Sequence, residues 1–289
     1  MLLLQLFFFL LLKTSLASQA SVVNFFNFYP EKIVISWQDP NDKDRVVEVG
    51  SLTPYTSVTL NSFVGHQFIY TLNGNSETVM VTQEKMIFNL GPRKLLVQCS
   101  TSEGVINANI VPEHAPHGAA RFLDLVNVGY YDGCALNRVV PNFLTQFGIG
   151  ANYEARTELR MKRIPDDEPK NHRFEPGYMA FAGSGKDSRT TEVFIVMPGT
   201  PQRQLDYFGI NSWETPFGWV EMEDVNEVVS KWYPYGDMPP HGEGPDPQLI
   251  YQENGYEYLK KNFPKMSYIA TCQIVHSLSE YRGEDEEEL

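Results

Sequence analysis

The sequence predicts a mainly β protein: a small antiparallel β-sandwich, followed by an eight-stranded closed barrel with two capping helices. Three observations lead there. Before Leu90, apolar and polar residues alternate in short runs broken by turn residues, the pattern of half-buried strands. After Gly91 and Pro92, helical spacings appear among the strands. The chain has 289 residues, about twice the ~150 usual for one domain, which leaves room for two units.

Residues 1–20 stand apart as a secretory signal peptide. Leu2 to Leu12 are apolar except Gln5, and small residues at Ser15/Ala17 or Ser18/Ala20 suit a signal peptidase. That run is shorter than the ~20 residues of a membrane span. The expected location is the secretory pathway, either the ER lumen or outside the cell, with no stable membrane insertion once the leader is removed.

Residues 21–90 contain six runs that read as strands: 22–28, 33–37, 46–49, 57–60, 66–72 and 78–81. Pro30, Asp39 to Asp44, Pro54 and Asn73 to Asn75 supply the turns. Further on, Ala119, Phe122, Leu123 and Val126 follow i, i+3, i+4, i+7 spacing after Pro116 and before Gly129, which predicts a helix with one buried face. Val225, Val228, Val229 and Trp232 repeat the spacing and predict a second. Eight strands surround them, at 95–99, 106–110, 135–140, 144–149, 178–182, 193–196, 217–220 and 269–274, enough to close a barrel. Between Tyr233 and Ile250 lie five prolines (Pro234, Pro239, Pro240, Pro245, Pro247), so this stretch reads as a loop.

Composition removes several functions. With 36 acidic against 23 basic residues the formal charge is −13, a balance that repels phosphate backbones, and no basic patch overrides it, so no nucleic-acid partner is expected. Residues 278–289 form an acidic tail, ending Glu286-Glu287-Glu288-Leu289. It lacks the Lys or His of an ER retrieval signal, which leaves retention and secretion both open. Cys99, Cys134 and Cys272 are too few and too widely spaced for a metal cluster or a disulfide framework, and no Asn-x-Ser/Thr sequon occurs.

His114 and His117 have no third ligand beside them, so no metal is expected. Gly183-Ser184-Gly185-Lys186 misses a phosphate loop, because Asp187 stands where Ser or Thr is needed and Ala180 where the first Gly is needed. Asp166, Asp167 and Glu168 read as a solvated turn. Cys134 has no base set against it by sequence. No cofactor is implied.

The informative stretch is Leu136-Asn137-Arg138-Val139-Val140-Pro141-Asn142-Phe143-Leu144-Thr145-Gln146-Phe147-Gly148. It resembles the cyclophilins, the barrel-shaped peptidyl-prolyl cis/trans isomerases, in the spacing of its Arg, Phe and Gln. Met179-Ala180-Phe181-Ala182-Gly183 and Thr191-Glu192-Val193-Phe194-Ile195 resemble two further family motifs, and Leu205-Asp206 and Phe217-Gly218-Trp219-Val220 follow in order. The resemblance covers about residues 95–277. Gly242 to Ile269 resembles an insertion found in a bacterial and algal subgroup.

The resemblance implies catalytic roles for Arg138, Phe143 and Gln146. It implies substrate contacts from Leu144, Phe194 and Leu205, from the backbone near Ala180 and Phe181, and from Glu192. The departures are Asn137 for the family's His, Phe181 for Asn, Glu192 for Gln, Gln204 for Trp and Glu214 near its pocket His, which point to reduced activity. It also implies that Cys99 and Cys272, on the first and last barrel strands, can bridge while Cys134 stays free.

Val22 to Trp37 and Asn61-Ser62-Phe63-Val64-Gly65-His66-Gln67-Phe68 resemble the β domain of the von Hippel-Lindau protein, which recognises hydroxyproline. That resemblance places Trp37, Ser62 and His66 in an accessory pocket, with Val49 where the family has Tyr. The expected function is peptidyl-prolyl isomerisation that assists folding of secretory-pathway proteins, with proline-containing peptides or client proteins as partners. The alternative is a catalytically weak or inactive module that binds proline-containing peptides, and a third reading is a scaffold made of two β units.

Overall fold

The computed structural model describes residues 19–169 and 172–275, so most of the leader and the acidic tail lie outside the described residues. The chain divides into two compact units at Leu90 and Gly91.

The first unit has seven strands, β1 (Ala20–Asn27), β2 (Ile33–Asp39), β3 (Asp42–Leu52), β4 (Ser57–Phe63), β5 (Gln67–Leu72), β6 (Asn75–Met80) and β7 (Lys85–Leu90). They form two sheets, ordered β4-β1-β7 and β3-β2-β5-β6. Period-two patterning drives the packing: Ile33 and Ile35 on β2 are fully buried, and Phe25 lies 5.2 Å from the Phe68 ring and 5.1 Å from the Phe88 ring. Asn27 ties two turns together, its amide donating to the carbonyls of Glu31 (2.7 Å) and Thr53 (3.1 Å). One strand departs from the expected antiparallel pattern. β7 was not marked by its turn residues, and it pairs parallel with β1. A parallel partner arrives through a long connection, so no hairpin signal announces it.

The second unit carries all eight expected strands in a single sheet: β8 (Leu95–Thr101), β9 (Gly104–Ile110), β10 (Arg138–Val140), β11 (Leu144–Phe147), β12 (Tyr178–Phe181), β13 (Val193–Val196), β14 (Gly218–Val220) and β15 (Ile269–Val275). Their order is β10-β11-β13-β12-β14-β9-β8-β15. The sheet curls into a half-barrel and does not close as the sequence suggested. β10 runs for three residues only, and Gly236 from the proline-rich segment bridges to its Val139. Beyond β10, the link across the gap is the isolated bridge from Ala135 to Tyr268 and the backbone hydrogen bonds around it, from Leu136 N–H to the Ser267 carbonyl (3.0 Å) and from Ile269 N–H to the Cys134 carbonyl (2.8 Å). The edge is thus covered by a loop instead of by the opposite strand, another means of protecting it.

Six α-helices are described: α1 (Pro116–Asn127), α2 (Tyr153–Leu159), α3 (Gln202–Leu205), α4 (Met222–Glu227), α5 (Pro247–Ile250) and α6 (Gly255–Asn262). The expected first helix is α1, whose Phe122 ring lies 5.1 Å from Phe217 and 5.5 Å from Tyr131. The expected second helix breaks into α4 and a 3-10 turn at Val229–Lys231. All four residues of its apolar stripe are buried, but Val228 leaves helical geometry, at φ −119°, and the adjacent β-branched Val228 and Val229 disfavour a continuous helix. Two uninterrupted capping helices are therefore not what the chain forms.

The acidic triplet also departs from expectation. Asp167 is buried and accepts the backbone N–H groups of His117 (2.8 Å) and Gly118 (3.0 Å), serving the start of α1 where Ala115 offers no side-chain cap. It also pairs with the buried Arg189 at 2.9 Å, while Asp166 lies 3.7 Å from the same guanidinium. This is a buried charge cluster, which a solvated turn would not need; Arg189 supplies the partner that burial demands. Cys99 and Cys272 face each other across β8 and β15 and are joined by a disulfide, and Cys134 is free and buried.

Candidate functional site

Arg138 and Gln146 are cross-strand partners on β10 and β11, so their side chains emerge on one face. Arg138 Nη1 donates to Gln146 Oε1 at 3.1 Å. Gln146 Nε2 in turn donates to Glu192 Oε2 at 2.8 Å, and the Tyr251 hydroxyl donates to Glu192 Oε1 at 2.9 Å. From the other side, Asp237 receives Arg138 Nε at 2.8 Å and Nη2 at 3.1 Å, a two-pronged grip that fixes the guanidinium plane. Burial raises the Asp237 carboxyl, but the hydrogen bond and charge of Arg138 outweigh it and hold the group below its ordinary range. Burial also pushes the Glu192 carboxyl above its ordinary range, against the hydrogen bonds from Tyr251 and Gln146.

Beside this chain lies a cavity of about 430 Å³, lined by Arg138, Gln146 and Met238 on one side and by Phe143, Leu144, Phe194 and Phe208 on the other. The aromatic wall is layered. Phe208 stacks on Phe143 at 5.6 Å and on Phe194 at 5.3 Å, and Phe174 backs Phe194 at 6.1 Å. The Arg138 guanidinium carbon sits 5.4 Å from the Phe143 ring centre. Two glycines allow the backbone to come this close. Gly148 has φ +119°, and a Cβ there would meet the Thr191 carbonyl at 2.3 Å; at Gly183 a Cβ would meet the Trp213 indole at 2.6 Å.

Five of the residues singled out by sequence therefore converge on one cavity: Arg138, Phe143, Leu144, Gln146 and Phe194. Leu205 packs against the same apolar cluster from α3 without lining the cavity, and Glu192 lines the neighbouring one. Ala180 and Phe181 do not line it: both are fully buried, and strand alternation turns the Phe181 ring onto Phe217 at 5.3 Å. One residue further on, Ala182 and Gly183 form the wall of both cavities.

Sequence reasoning missed Phe208, Asp237, Met238 and Tyr251. Asp237 and Met238 belong to the stretch read as a loop, where no periodicity marks a side chain that reaches a site, and Tyr251 follows directly after it. Phe208 could have been found from its place just after Leu205-Asp206. The Cys134 thiol, enclosed and pushed up to about 12 by burial, is not a nucleophile. Among the described residues no group of three His, Cys, Asp or Glu is placed to hold a metal ion, and no helix is long and apolar enough to cross a membrane.

In the first unit Trp37, Ser62 and His66 come together. Ser62 Oγ lies 3.1 Å from His66 Nδ1, and the Trp37 and His66 rings are 5.5 Å apart. The Trp37 indole N–H is buried without a hydrogen-bond partner. Burial lowers the His66 ring below its ordinary value, against the charge of Asp39.

Known proteins are similar to this chain. The family model described as "Cyclophilin type peptidyl-prolyl cis-trans isomerase/CLD" matches residues 96–235. Peptidyl-prolyl cis-trans isomerase B of Bacillus subtilis is 32% identical over 122 residues, which span 40% of this chain and 75% of that protein. The chain belongs to the cyclophilin-type peptidyl-prolyl isomerases. Peptidyl-prolyl cis-trans isomerase-like 2 of Gibberella zeae is 27% identical over 195 residues, 65% of this chain, and the match spans only 31% of that longer protein. A cyclophilin type isomerase of known structure from Cryptosporidium parvum covers 64% of this chain and 99% of its own length, at 15% identity and a TM-score of 0.43. The cyclophilin match falls within the second unit. Cyclophilins bind proline-containing peptides.

Proposed function

We propose that the second unit accelerates cis/trans exchange about X-Pro bonds in client polypeptides, and that it does so on proteins passing through the secretory pathway. Amide resonance sets a barrier of ~18–20 kcal/mol and makes uncatalysed exchange take tens of seconds. No covalent bond need break. What lowers the barrier is an apolar wall for the pyrrolidine ring and a donor that favours the twisted amide, whose nitrogen regains its lone pair.

The single observation that carries the reading is the Arg138 guanidinium, held at the rim of the aromatic cavity from two sides. Of its five N–H groups, three are engaged by Asp237 and Gln146, so two stay available to the twisted amide. Asp237 acts here as a positioning residue, because it removes the rotational freedom that would otherwise be lost on reaching the transition state. Phe143, Leu144, Phe194 and Phe208 form the ring slot, and Gln146 and the Ala182-Gly183 backbone border the peptide. The apolar leader and the Cys99–Cys272 disulfide support an oxidising compartment.

The test is a protease-coupled exchange assay on an X-Pro peptide with parent and Arg138→Ala proteins of matched circular dichroism. A preorganised donor of this kind is worth about a hundred-fold or more in rate, and that loss is the expected result. Equal rates in the two proteins would remove Arg138 from the mechanism. A parent that binds the peptide yet leaves exchange unchanged would establish the alternative, a proline-binding module without catalysis.

A second reading concerns the first unit. We propose that Trp37, Ser62 and His66 receive a proline or hydroxyproline ring, and the unpartnered indole N–H supports it, because a buried donor of this kind gains from a ligand hydroxyl. Titration with paired proline and hydroxyproline peptides, followed by NMR at His66 and Trp37, decides it. Silence at both residues at millimolar peptide would leave the unit without this pocket.

A further inference from the structure

We propose that client recognition extends past the proline slot into a groove whose basic step, Arg160 and Arg163, selects segments that carry an acidic side chain near their proline. The inference rests on the isomerase reading and adds a substrate class to it.

Three cavities lie in series. The proline slot of about 430 Å³ shares Gln146, Gly183 and Met238 with a second cavity of about 370 Å³. That cavity shares Arg160, Arg163 and Tyr251 with a third of about 390 Å³. The two arginines therefore face two consecutive cavities beyond the slot, where side chains of an extended peptide would fall.

Arg160 feels the charge of Glu192, but neither arginine spends its donors on a carboxylate. The chain as a whole carries −13, yet neither arginine forms an ion pair among the described residues. The nearby Glu158 is spent on Lys162. Glu192 is the one carboxylate lining the second cavity, and both its oxygens are occupied by Gln146 and Tyr251. Burial pushes that carboxyl up, against the pull of Tyr251, Gln146 and Arg160. An incoming carboxylate therefore meets two guanidinium groups whose donors are not spent in ion pairs.

The step is also built into the site. Arg160 lies with its guanidinium carbon 3.9 Å over the Tyr251 ring, close enough for cation–π attraction to hold it. Tyr251 is fixed by its hydrogen bond to Glu192, which is bonded to Gln146, which is bonded to Arg138. One chain of contacts thus runs from the donor at the proline slot to the cation of the second cavity. A surface arginine without such ties would sample many rotamers and discriminate weakly.

The experiment uses the full chain and pairs of X-Pro peptides that differ only by Glu against Gln, placed in turn at successive positions on either side of the proline. Exchange rates and dissociation constants are measured at low and high salt. The expected result is a gain of about five-fold in affinity and in kcat/KM for Glu over Gln at one position, carried by KM and lost at high salt. In the Arg160→Gln/Arg163→Gln double variant the ratio of Glu to Gln peptide, in affinity and in kcat/KM, falls to about one at that position. Equal treatment of Glu and Gln at every position overturns the proposal, as does a preference that survives the double variant. Exchange left unchanged on every peptide would instead sink the isomerase reading, and the dissociation constants would still decide the groove.

Discussion

The two units of this chain bury charge very differently. In the first, among the described residues, there is no buried ion pair and no disulfide, and the core is a run of alternating apolar residues such as Phe25, Ile33, Ile35 and Phe68. In the second, polar groups far apart in sequence are tied together inside: Asp167 to Arg189, Arg138 to Asp237, the fully buried Arg156 to the Gln252 carbonyl, and Cys99 to Cys272 across 173 residues. The first unit has short hairpins, so apolar alternation suffices to fix its register. The second has long loops between short strands, and buried polar ties hold those loops in place. The candidate site uses the most exposed of these ties, Arg138 to Asp237, so it can be altered with less loss of stability than the Asp167–Arg189 pair. The Ser62–His66 pair spans the short link between β4 and β5, which belong to different sheets.

The strongest way to sharpen that contrast is Asp167→Ala. It leaves Arg189 buried with its closest carboxylate gone and strips the start of α1, a loss of about 3–5 kcal/mol. Denaturant unfolding should show the second unit's transition collapse toward lower denaturant while the first unit's stays put. An unmoved second transition would mean that Asp166 and the Pro165 carbonyl, which Arg189 also reaches, satisfy its charge.

Cys272→Ser comes next. Opening a loop of this length costs about 2–4 kcal/mol, with the size set by how much the reduced chain relaxes. The parent treated with reductant should match the variant, and mass spectrometry without reductant should find Cys99 and Cys272 bridged with Cys134 free. Thiols found free at both positions would sink the pairing.

Asp237→Asn separates site from stability within the second unit. Its expected effect is a fall of about ten-fold in exchange rate through kcat, with Asp237→Glu recovering part of it and the unfolding midpoint nearly unchanged. The sign with pH follows from the lowered carboxyl. The grip on Arg138 is intact above the ordinary carboxylate range and is lost only as pH falls through the depressed value, so the parent's rate should hold well into acid. A variant faster than the parent would make Asp237 a brake.

The smallest effect belongs to the first unit. Because burial lowers His66 in the folded state, the unfolded chain takes up its proton first as pH falls through the ordinary histidine range near ~6.5. The sandwich should lose a little stability there, and its His66 ring signal should titrate below that value. A midpoint at or above it would show the ring solvated and the pair with Ser62 weak.

Sequence alone determined the strands of the second unit and four neighbouring residues of one cavity. The eight strands of the second unit follow from apolar runs between turn residues, and Arg138, Phe143, Leu144 and Gln146 are fixed relative to one another because they lie on one short hairpin, where spacing is geometry. Phe194 joins them because β13 pairs directly with β11. What only the tertiary structure decided were the groups that approach from afar: Asp237 from the proline-rich segment, Tyr251 just after it, Phe208 over the cavity, the Asp167–Arg189 pair, and the parallel seat of β7. The open edge of the half-barrel and the broken second helix belong with them. Local patterns report which face a residue presents within its own element. They carry no information on which distant carboxylate or ring will meet that face, because that choice is made by the closure of long loops, whose cost rises only slowly with their length.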